Sequence, residues 1–484
     1  MPDRESWIAA ARGVVGAENV ITDAVALAPY SRDESALEEL ARAPIAAVRP
    51  ATAEQISAIV KLCSEHRIPL TVRGGGTGLS GACVAAEGGA VLSMERLNRL
   101  VDADAANFAV TVEAGMPLRK LYEAVEAVGL FFPPHPGDEG AHIGGLVSAN
   151  AGGSRAVKYG TIKRFVLGLQ VVLADGSIVE LGGKTVKSST GYHLLDLMIG
   201  SEGTLGIITR VTLSLVPRPG SLKTLIAPFQ SVREAIQIVP GLLSSGIVPA
   251  AVEFVPHRSI RCSERLLKKQ WPVKAGSASL MVILDGRNEE DVLSLAQSFM
   301  TTVEREGALD VLLAETAEQQ AEILELRSMI YESLKPATVE ALDVCVPRSE
   351  IASHVEFVFA LEQRFGVPIP TYGHAADGNV HAHTMRRLLA DGELGGEIPG
   401  WRALHEKIKA EIYDDAIRRG GLISAEHGIG VAKREFLERN LGGPVVAMMR
   451  AVKTALDPMG ILNPGKVIPA RNAVPAGEWT QNRM

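Results

Sequence analysis

No stretch of the 484 residues approaches the ~18 consecutive apolar residues that suggest a membrane-spanning helix. Cysteine is scarce: Cys63, Cys83, Cys262 and Cys345 stand far apart with no CxxC, which argues against a disulfide framework and a Cys-rich zinc site. Neither sign of charge dominates. The 49 Lys and Arg against 56 Asp and Glu leave a net charge of −7, so there is no basic excess to hold a nucleic-acid backbone. The first residues carry Asp3 and Glu5 and no long apolar core, so a secretory signal is not expected. With 46% hydrophobic and 22% charged residues the composition is globular, and the length suggests two or three domains. Glycine is in excess: 48 residues in 484, in tight clusters that point to backbone-lined ligand sites.

The segment 45–72 reads as strand, helix, strand, with Thr52 as N-cap, Gln55 at the capping-box position and Ile56, Ile59, Val60 and Cys63 at helical spacing. Residues 109–115 and 208–216 alternate like strands, and 166–181 reads as a hairpin closed by a two-residue turn at Asp175-Gly176. Pro217 and Pro219 then break the chain, and a domain boundary is placed there. Residues 401–420 form an amphipathic helix on Leu404, Ile408, Ile412 and Ala416, stopped by Gly420. The last 15 residues are polar and expected to be mobile.

Residues Gly76 to Gly81 match GxGxxG, the dinucleotide fingerprint, but only nine residues separate Gly81 from the next strand at Val91. A crossover helix needs ~10–12, so the NAD reading fails. Five of the nine residues in Arg73–Gly81 are glycine, and their exposed N–H groups would form an anion nest with Arg73 beside it. Similar turns recur at 143–160 and 200–209. Three of them in one half of a chain suggest a long ligand with a pyrophosphate.

The segment Tyr372 to His383 carries His374, His381 and His383 around Asp377-Gly378, a strong hairpin signal. A two-residue turn there places His374 directly opposite His381, with Cβ atoms ~4.5–5.5 Å apart, and His383 opposite Tyr372. Two imidazoles at that separation can share a divalent ion, with Glu426 the candidate third ligand.

The three glycine segments resemble the FAD-binding domain of the vanillyl-alcohol-oxidase-type flavoproteins. Residues 343–349, 372–383, 424–430 and 457–466 resemble the branch containing D-lactate dehydrogenase, D-2-hydroxyglutarate dehydrogenase and the flavin-binding component of glycolate oxidase. The resemblance implies an α+β fold. Residues 1–218 would be an FAD-binding domain of two α/β subdomains, 219–420 an α/β substrate-binding cap, and 421–484 a segment returning to the flavin and active site. FAD would lie on Arg73, Gly74, Gly75, Gly76, Thr77, Gly78 and Ser80, on Gly144, Gly145, Ser148, Asn150, Gly152 and Gly153, and on Gly203 and Ile207, with Lys466 near the flavin. Covalent members often carry His in the first loop. Thr77 cannot form that bond, so the FAD is expected to be noncovalent. Where the family usually has Asp-Pro-Ser the chain has His135-Pro136-Gly137-Asp138, and no flavin contact is carried over there.

The same resemblance implies His374, His381 and Glu426 as ligands of a divalent metal, most often zinc, His427 as catalytic base, and Arg327 as the arginine for the substrate carboxylate. The expected reaction is FAD-dependent oxidation of a small D-2-hydroxy acid, of the D-lactate or glycolate class, to the 2-oxo acid, with hydride transfer to flavin N5. The metal would lower the pKa of the C2 hydroxyl. The 2-hydroxyglutarate enzymes use a lysine just before Asp343. Glu340, Ala341 and Leu342 offer none, which counts against a second substrate carboxylate. An external electron acceptor (a quinone, an electron-transfer flavoprotein or a partner subunit) is required. A cytoplasmic location is expected, peripheral at the membrane if the acceptor lies there, and a homodimer is left open. The alternatives are a D-2-hydroxyglutarate dehydrogenase, a flavin-binding subunit of a glycolate oxidase complex, and a metal-dependent hydrolase, the last leaving the glycine clusters unexplained.

Overall fold

Residues 4–469 are described by a computed structural model. The polar tail 470–484, expected to be mobile, lies outside them. Thr52 opens the helix Ala53–His66 by accepting the N–H of Gln55 at 3.2 Å, and Ile56, Ile59, Val60 and Cys63 turn inward as their spacing requires. The strand Leu70–Arg73 then runs parallel to Ala90–Ser93 with no helix between them. These two strands form a four-stranded sheet with Ala47–Val48 and Val20–Ile21.

A second, antiparallel sheet of five strands follows in the order Leu100–Asp104, Ala109–Glu113, Ile207–Ser214, Val166–Val172, Ile178–Gly182. Both sheets share one buried cluster, which includes Trp7, Ile56, Val112, Val171 and, from the far end of the chain, Ile461 and Leu462. From residue 221 onward the strands belong mainly to a seven-stranded antiparallel sheet. Its order is Leu312–Leu313, Ser221–Phe229, Ala278–Gly286, Ala251–Pro256, Thr371–His374, Asn379–Met385, Thr338–Cys345. The helices Val232–Gln237, Glu289–Arg305, Ile351–Phe365 and Trp401–Arg418 cover this sheet. The fold is α+β.

Both Asp-Gly turns are longer than the two residues predicted. After Val172 and Ile178 pair, Leu173 still donates to Ser177 O at 2.9 Å, leaving Ala174–Gly176 in the turn with Gly176 at φ 82. In the histidine hairpin His374 pairs with Asn379 and Tyr372 with His381, so Ala375–Gly378 form the loop, with Gly378 at φ 101. His374 is therefore not opposite His381, nor Tyr372 opposite His383. The reason is competition for the loop's backbone: Ala375 donates to Val252 O at 2.8 Å, and Arg348 Nε donates to Ala376 O at 2.5 Å. The register moves by two, and a shift of two preserves faces. His374 and His381 become diagonal neighbours on one face, ring centroids 5.4 Å apart.

Among the described residues no helix is long and apolar enough to cross a membrane. The seven-stranded sheet is tied to the glycine-rich segment at 143–160 through Asp285, which accepts from Lys158 Nζ at 2.5 Å and from the Tyr159 hydroxyl. Asp285 is buried, so removing its carboxylate strands both donors. Asp285→Ala is expected to cost on the order of 3 kcal/mol, read as a lowered denaturant midpoint.

Candidate active site

A cavity of about 910 Å³ lies between the glycine loops and the seven-stranded sheet. Gly74, Gly75, Gly76, Thr77, Gly78 and Ser80 line it from the first loop. Gly144, Gly145, Ser148 and Gly153 line it from the second, and Gly203 and Ile207 from the third. The glycines have two distinct tasks. A Cβ on Gly144 would lie 2.6 Å from Ala114 Cβ, so its absence lets the helix Ile143–Ala149 approach the strand. A Cβ on Gly145 would meet nothing within 4 Å and would project into free space. Such a long cradle of backbone amides suits an extended anionic cofactor.

Four residues expected at the cofactor are not on the cavity wall. Arg73 turns back to donate to Arg32 O at 2.7 Å and lies 3.4 Å from Cys83 Sγ. Asn150 closes the helix Ile143–Ala149 with φ 51, and its Oδ1 accepts from Thr161 Oγ1 at 2.9 Å. Gly152 stands against the turn that carries Glu426 instead: a Cβ there would lie 3.0 Å from Glu426 Oε2. Lys466 is buried away from the wall, and burial, with Arg434 and Arg42 nearby, brings its pKa down to about 8. His135, Pro136, Gly137 and Asp138, where the departure from the family's pattern left flavin contacts open, line the cavity.

Alternation along the seven-stranded sheet builds the opposite wall. Glu253 pairs with Met281 on one side and His374 on the other, so all three face the cavity. Tyr372 and His381 face it too, and Asp343 lies opposite His381. Glu253 accepts from His374 Nδ1 at 2.6 Å and from the Arg327 guanidinium. Burial pushes the Glu253 carboxyl up, but His374 and Arg327 outweigh it and hold the pKa down to about 2. Burial likewise disfavours charge on His374, but Glu253 outweighs it and raises the pKa well above the usual imidazole value. With Nδ1–H committed to Glu253, Nε2 of His374 is aimed at Glu426 Oε1, 3.6 Å away.

His381 Nε2 lies 3.6 Å from the same oxygen, and burial brings the His381 pKa down to about 3. His427 stacks on His381 with centroids 5.3 Å apart. Donor atoms of Asp343, His381, Glu426 and His427 lie within 4.8 Å of one another. Asp343 is nevertheless a poor ligand. Its Oδ2 accepts the N–H groups of Ala425, Glu426 and His427 at 3.0, 2.9 and 2.9 Å, and Oδ1 accepts Asn379 Nδ2 at 2.7 Å. His374 is not part of that group, but its Nε2 and that of His381 each lie 3.6 Å from Glu426 Oε1, and two imidazole nitrogens converging on a carboxylate are a donor set that fits a divalent cation. His383 is excluded from it. The Thr338 hydroxyl donates to Leu334 O, so His383 Nδ1 donates to Thr338 and Nε2 accepts from the Tyr372 hydroxyl, each at 3.0 Å.

Arg327 lines the cavity with its guanidinium 4.8 Å from the Tyr372 ring centre, and its Nε is buried without a partner among the described residues. Sequence reasoning missed Glu253 and the anchoring role of Asp343. Glu253 is the lone acid of its strand and Asp343 shares its strand with Glu340; a buried carboxylate in such an apolar run needs a partner.

Residues 44–182 match the FAD binding domain, and residues 218–467 match the C-terminal domain of FAD linked oxidases. The chain belongs to the FAD-linked oxidase family. It is 40% identical to a D-lactate dehydrogenase of Archaeoglobus fulgidus over 87% of its own length and 90% of that protein. It is 36% identical to glycolate oxidase subunit GlcD of Bacillus subtilis, covering 94% and 95%. Among solved structures its fold resembles p-cresol methylhydroxylase with substrate bound, at TM-score 0.76 and 19% identity over 96% and 97% of the two chains. A 4-ethylphenol oxidase from Gulosibacter chungangensis gives TM-score 0.74 at 18% identity over 96% and 98%. The oxidase is thus an FAD-linked oxidoreductase of vanillyl-alcohol-oxidase-type fold.

Gly153 sits at φ 103, and a Cβ there would lie 2.0 Å from His135 O. Gly153→Ala should therefore push residues 135–136 out of place and yield protein with sub-stoichiometric FAD, measured as flavin absorbance per chain.

Proposed function

We propose that the chain oxidises a small D-2-hydroxy acid to the corresponding 2-oxo acid, with residues 1–218 as the cofactor half, 219–420 as the cap and 421–484 as the returning segment. The observation that carries this is the orphaned Nε of Arg327, a buried donor in the same cavity as the convergent His374, His381 and Glu426. An anionic substrate group would satisfy it, and a carboxylate is the anion whose planar shape matches a guanidinium. When bound, FAD supplies the acceptor for the electrons and hydrogen leaving C2, and a divalent cation on His374, His381 and Glu426 supplies Lewis acidity.

The chain's own residues do the rest. Arg327, held by Glu253, fixes the carboxylate and so orients C2. His427 takes the hydroxyl proton as general base, a role typically contributing ~10²–10⁴-fold. Ala341 lines the cavity where a lysine would be wanted for a second carboxylate, Leu342 is buried in the core, and Glu340 is paired with Lys409 at 2.7 Å. The distal wall is therefore uncharged at this strand, which favours substrates with small, uncharged side chains. The two relatives named for D-lactate and glycolate chemistry support the same class. A flavin subunit acting only within a complex is the second reading, supported by the relative named as a subunit. Turnover of an artificial dye by the lone chain excludes it.

Purified protein should release intact FAD on acid precipitation, since Thr77 offers no covalent anchor. Flavin left on the precipitate overturns the noncovalent reading, and FMN overturns the pyrophosphate reading. In a dye-reduction panel D-lactate or glycolate should exceed D-2-hydroxyglutarate in kcat/KM; the reverse order defeats the argument from Ala341.

At saturating FAD, chelation or His381→Ala should abolish substrate oxidation and leave the flavin absorbance in place. His427→Ala should keep its metal and lose ~10²–10⁴-fold in rate. Loss of metal from that variant would make His427 a ligand, and an unchanged rate after chelation would remove the metal from the mechanism.

A further inference from the structure

The turn that carries Glu426 and His427 is held from both sides. Asp343, on the seven-stranded sheet, takes the N–H groups of residues 425–427. From the flavin side, Glu202 Oε1 accepts the N–H of Ile429 at 2.7 Å, and its Oε2 accepts that of Gly430 at 2.8 Å. Ser80, in the first glycine loop, donates from Oγ to His427 O at 3.1 Å and accepts the N–H of Val431 at 2.8 Å through its own carbonyl. The fit leaves no slack: a Cβ on Gly428 would lie 2.9 Å from Glu202 Oε1, and one on Gly430 would lie 2.1 Å from Ser80 O.

Glu202 has its carboxylate committed to this turn. It is a non-glycine residue at φ 50, a left-handed conformation that L-residues rarely adopt, and it is buried at 8% exposure. Its backbone is held by Ser148 O, which accepts its N–H at 2.8 Å, and by Asn463 Nδ2, which donates to its carbonyl at 2.7 Å. Both side-chain oxygens are spent on amides of the catalytic turn. Glu202 itself lines the cavity beside its neighbours Gly203, Gly206 and Ile207, but with both oxygens turned to the amides of Ile429 and Gly430.

We infer that Glu202 is a positioning residue for Glu426 and His427. It fixes the turn so that the Glu426 carboxylate faces His374 and His381, although Glu202 bonds to neither Glu426 nor His427 directly. The inference rests on the reading that His374, His381 and Glu426 hold a divalent cation. It adds that the affinity of that site depends on a carboxylate from the flavin-side loop. Outer partners that orient metal ligands typically change metal affinity by 10–100-fold when removed.

The test uses full-length, FAD-loaded Glu202→Ala and Glu202→Gln. Zinc is titrated in competition with a chromophoric chelator, and flavin per chain is measured on the same samples. Glu202→Ala should keep its FAD and bind zinc about 10–100-fold more weakly. Glu202→Gln, which keeps one acceptor oxygen, should fall between it and the wild type. If Glu202→Ala does not accumulate as a folded flavoprotein, Glu202→Gln decides alone: weakened zinc binding with full flavin supports the inference, and wild-type zinc affinity overturns it. Flavin lost while zinc affinity is retained also overturns it, because Glu202 would then serve the cofactor. A wild-type chain that binds no zinc overturns the metal reading itself, whereas equal affinity in wild type and Glu202→Ala overturns the positioning role alone.

Discussion

One buried carboxylate organises the active site. Asp343 has no exposure, and an ionised carboxylate without donors in such a place would cost several kcal/mol. Burial alone would push its pKa up, but His427, Lys433, His381 and the His427 amide outweigh it and hold the carboxyl well below the usual range. The anion persists because the successive amides of Ala425, Glu426 and His427 converge on one oxygen, and that convergence leaves the turn little freedom. The strand Thr338–Cys345 lies at one edge of the seven-stranded sheet, so the turn can pack against it from outside. His374 and His381 come from the next two strands. A rigid sheet supplies two imidazoles, and one anchored turn supplies the Glu426 carboxylate and the His427 ring that face them.

Around this anchor each carboxylate has a basic side chain beside it. Arg327 contacts Glu253, Glu253 contacts His374, His374 faces Glu426, and His381 lies between Glu426 and Asp343, with Lys433 Nζ 3.6 Å from Asp343. Such pairing lets several ionisable groups share a buried site. The two imidazoles nevertheless differ. Glu253 raises His374, whereas burial keeps His381 neutral with its pKa about 3. A cation bound between them must displace any proton on His374 Nε2, so metal affinity and pH are linked there.

How much of this was legible varies with the physics behind each residue. Hydrophobic period, capping and glycine spacing are local, so the helix Ala53–His66, the strands of the first half and the failed dinucleotide fingerprint were all readable. The hairpin register was not. It depends on Val252 O and Arg348 competing for the loop's backbone, and neither lies within the hairpin. Faces survived because the shift was two residues rather than one. Arg73 looked like part of an anion nest, but a Cβ on Gly76 would lie 2.1 Å from its Nη2, which shows that the guanidinium folds back along its own loop. Glycine there makes room for the arginine as well as for a ligand. Asn150 and Lys466 occupy the right segments, but Asn150 caps a helix and Lys466 is buried off the cavity wall, which sequence spacing does not separate from ligand contact.

The C-terminal segment explains why residues so distant in sequence stay in register. Leu422 bridges to Cys345 at one end of it, and Leu462 bridges to Leu70 at the other. Between these bridges lie Glu426, His427 and the amides gripped by Glu202, while Asn463 Nδ2 also donates to Ala82 O at 2.9 Å. One stretch is therefore fastened to the seven-stranded sheet and to the four-stranded sheet, with the catalytic turn between the fastenings. A hinge motion that separated the two sheets would have to break one of these bridges or extract a buried carboxylate from its amides. The sheet bearing His374 and His381 and the loops bearing the glycine cradle are thus held at a fixed spacing. The proposed transfer from substrate to flavin would require such a spacing, because reacting atoms must be held ~3–3.5 Å apart.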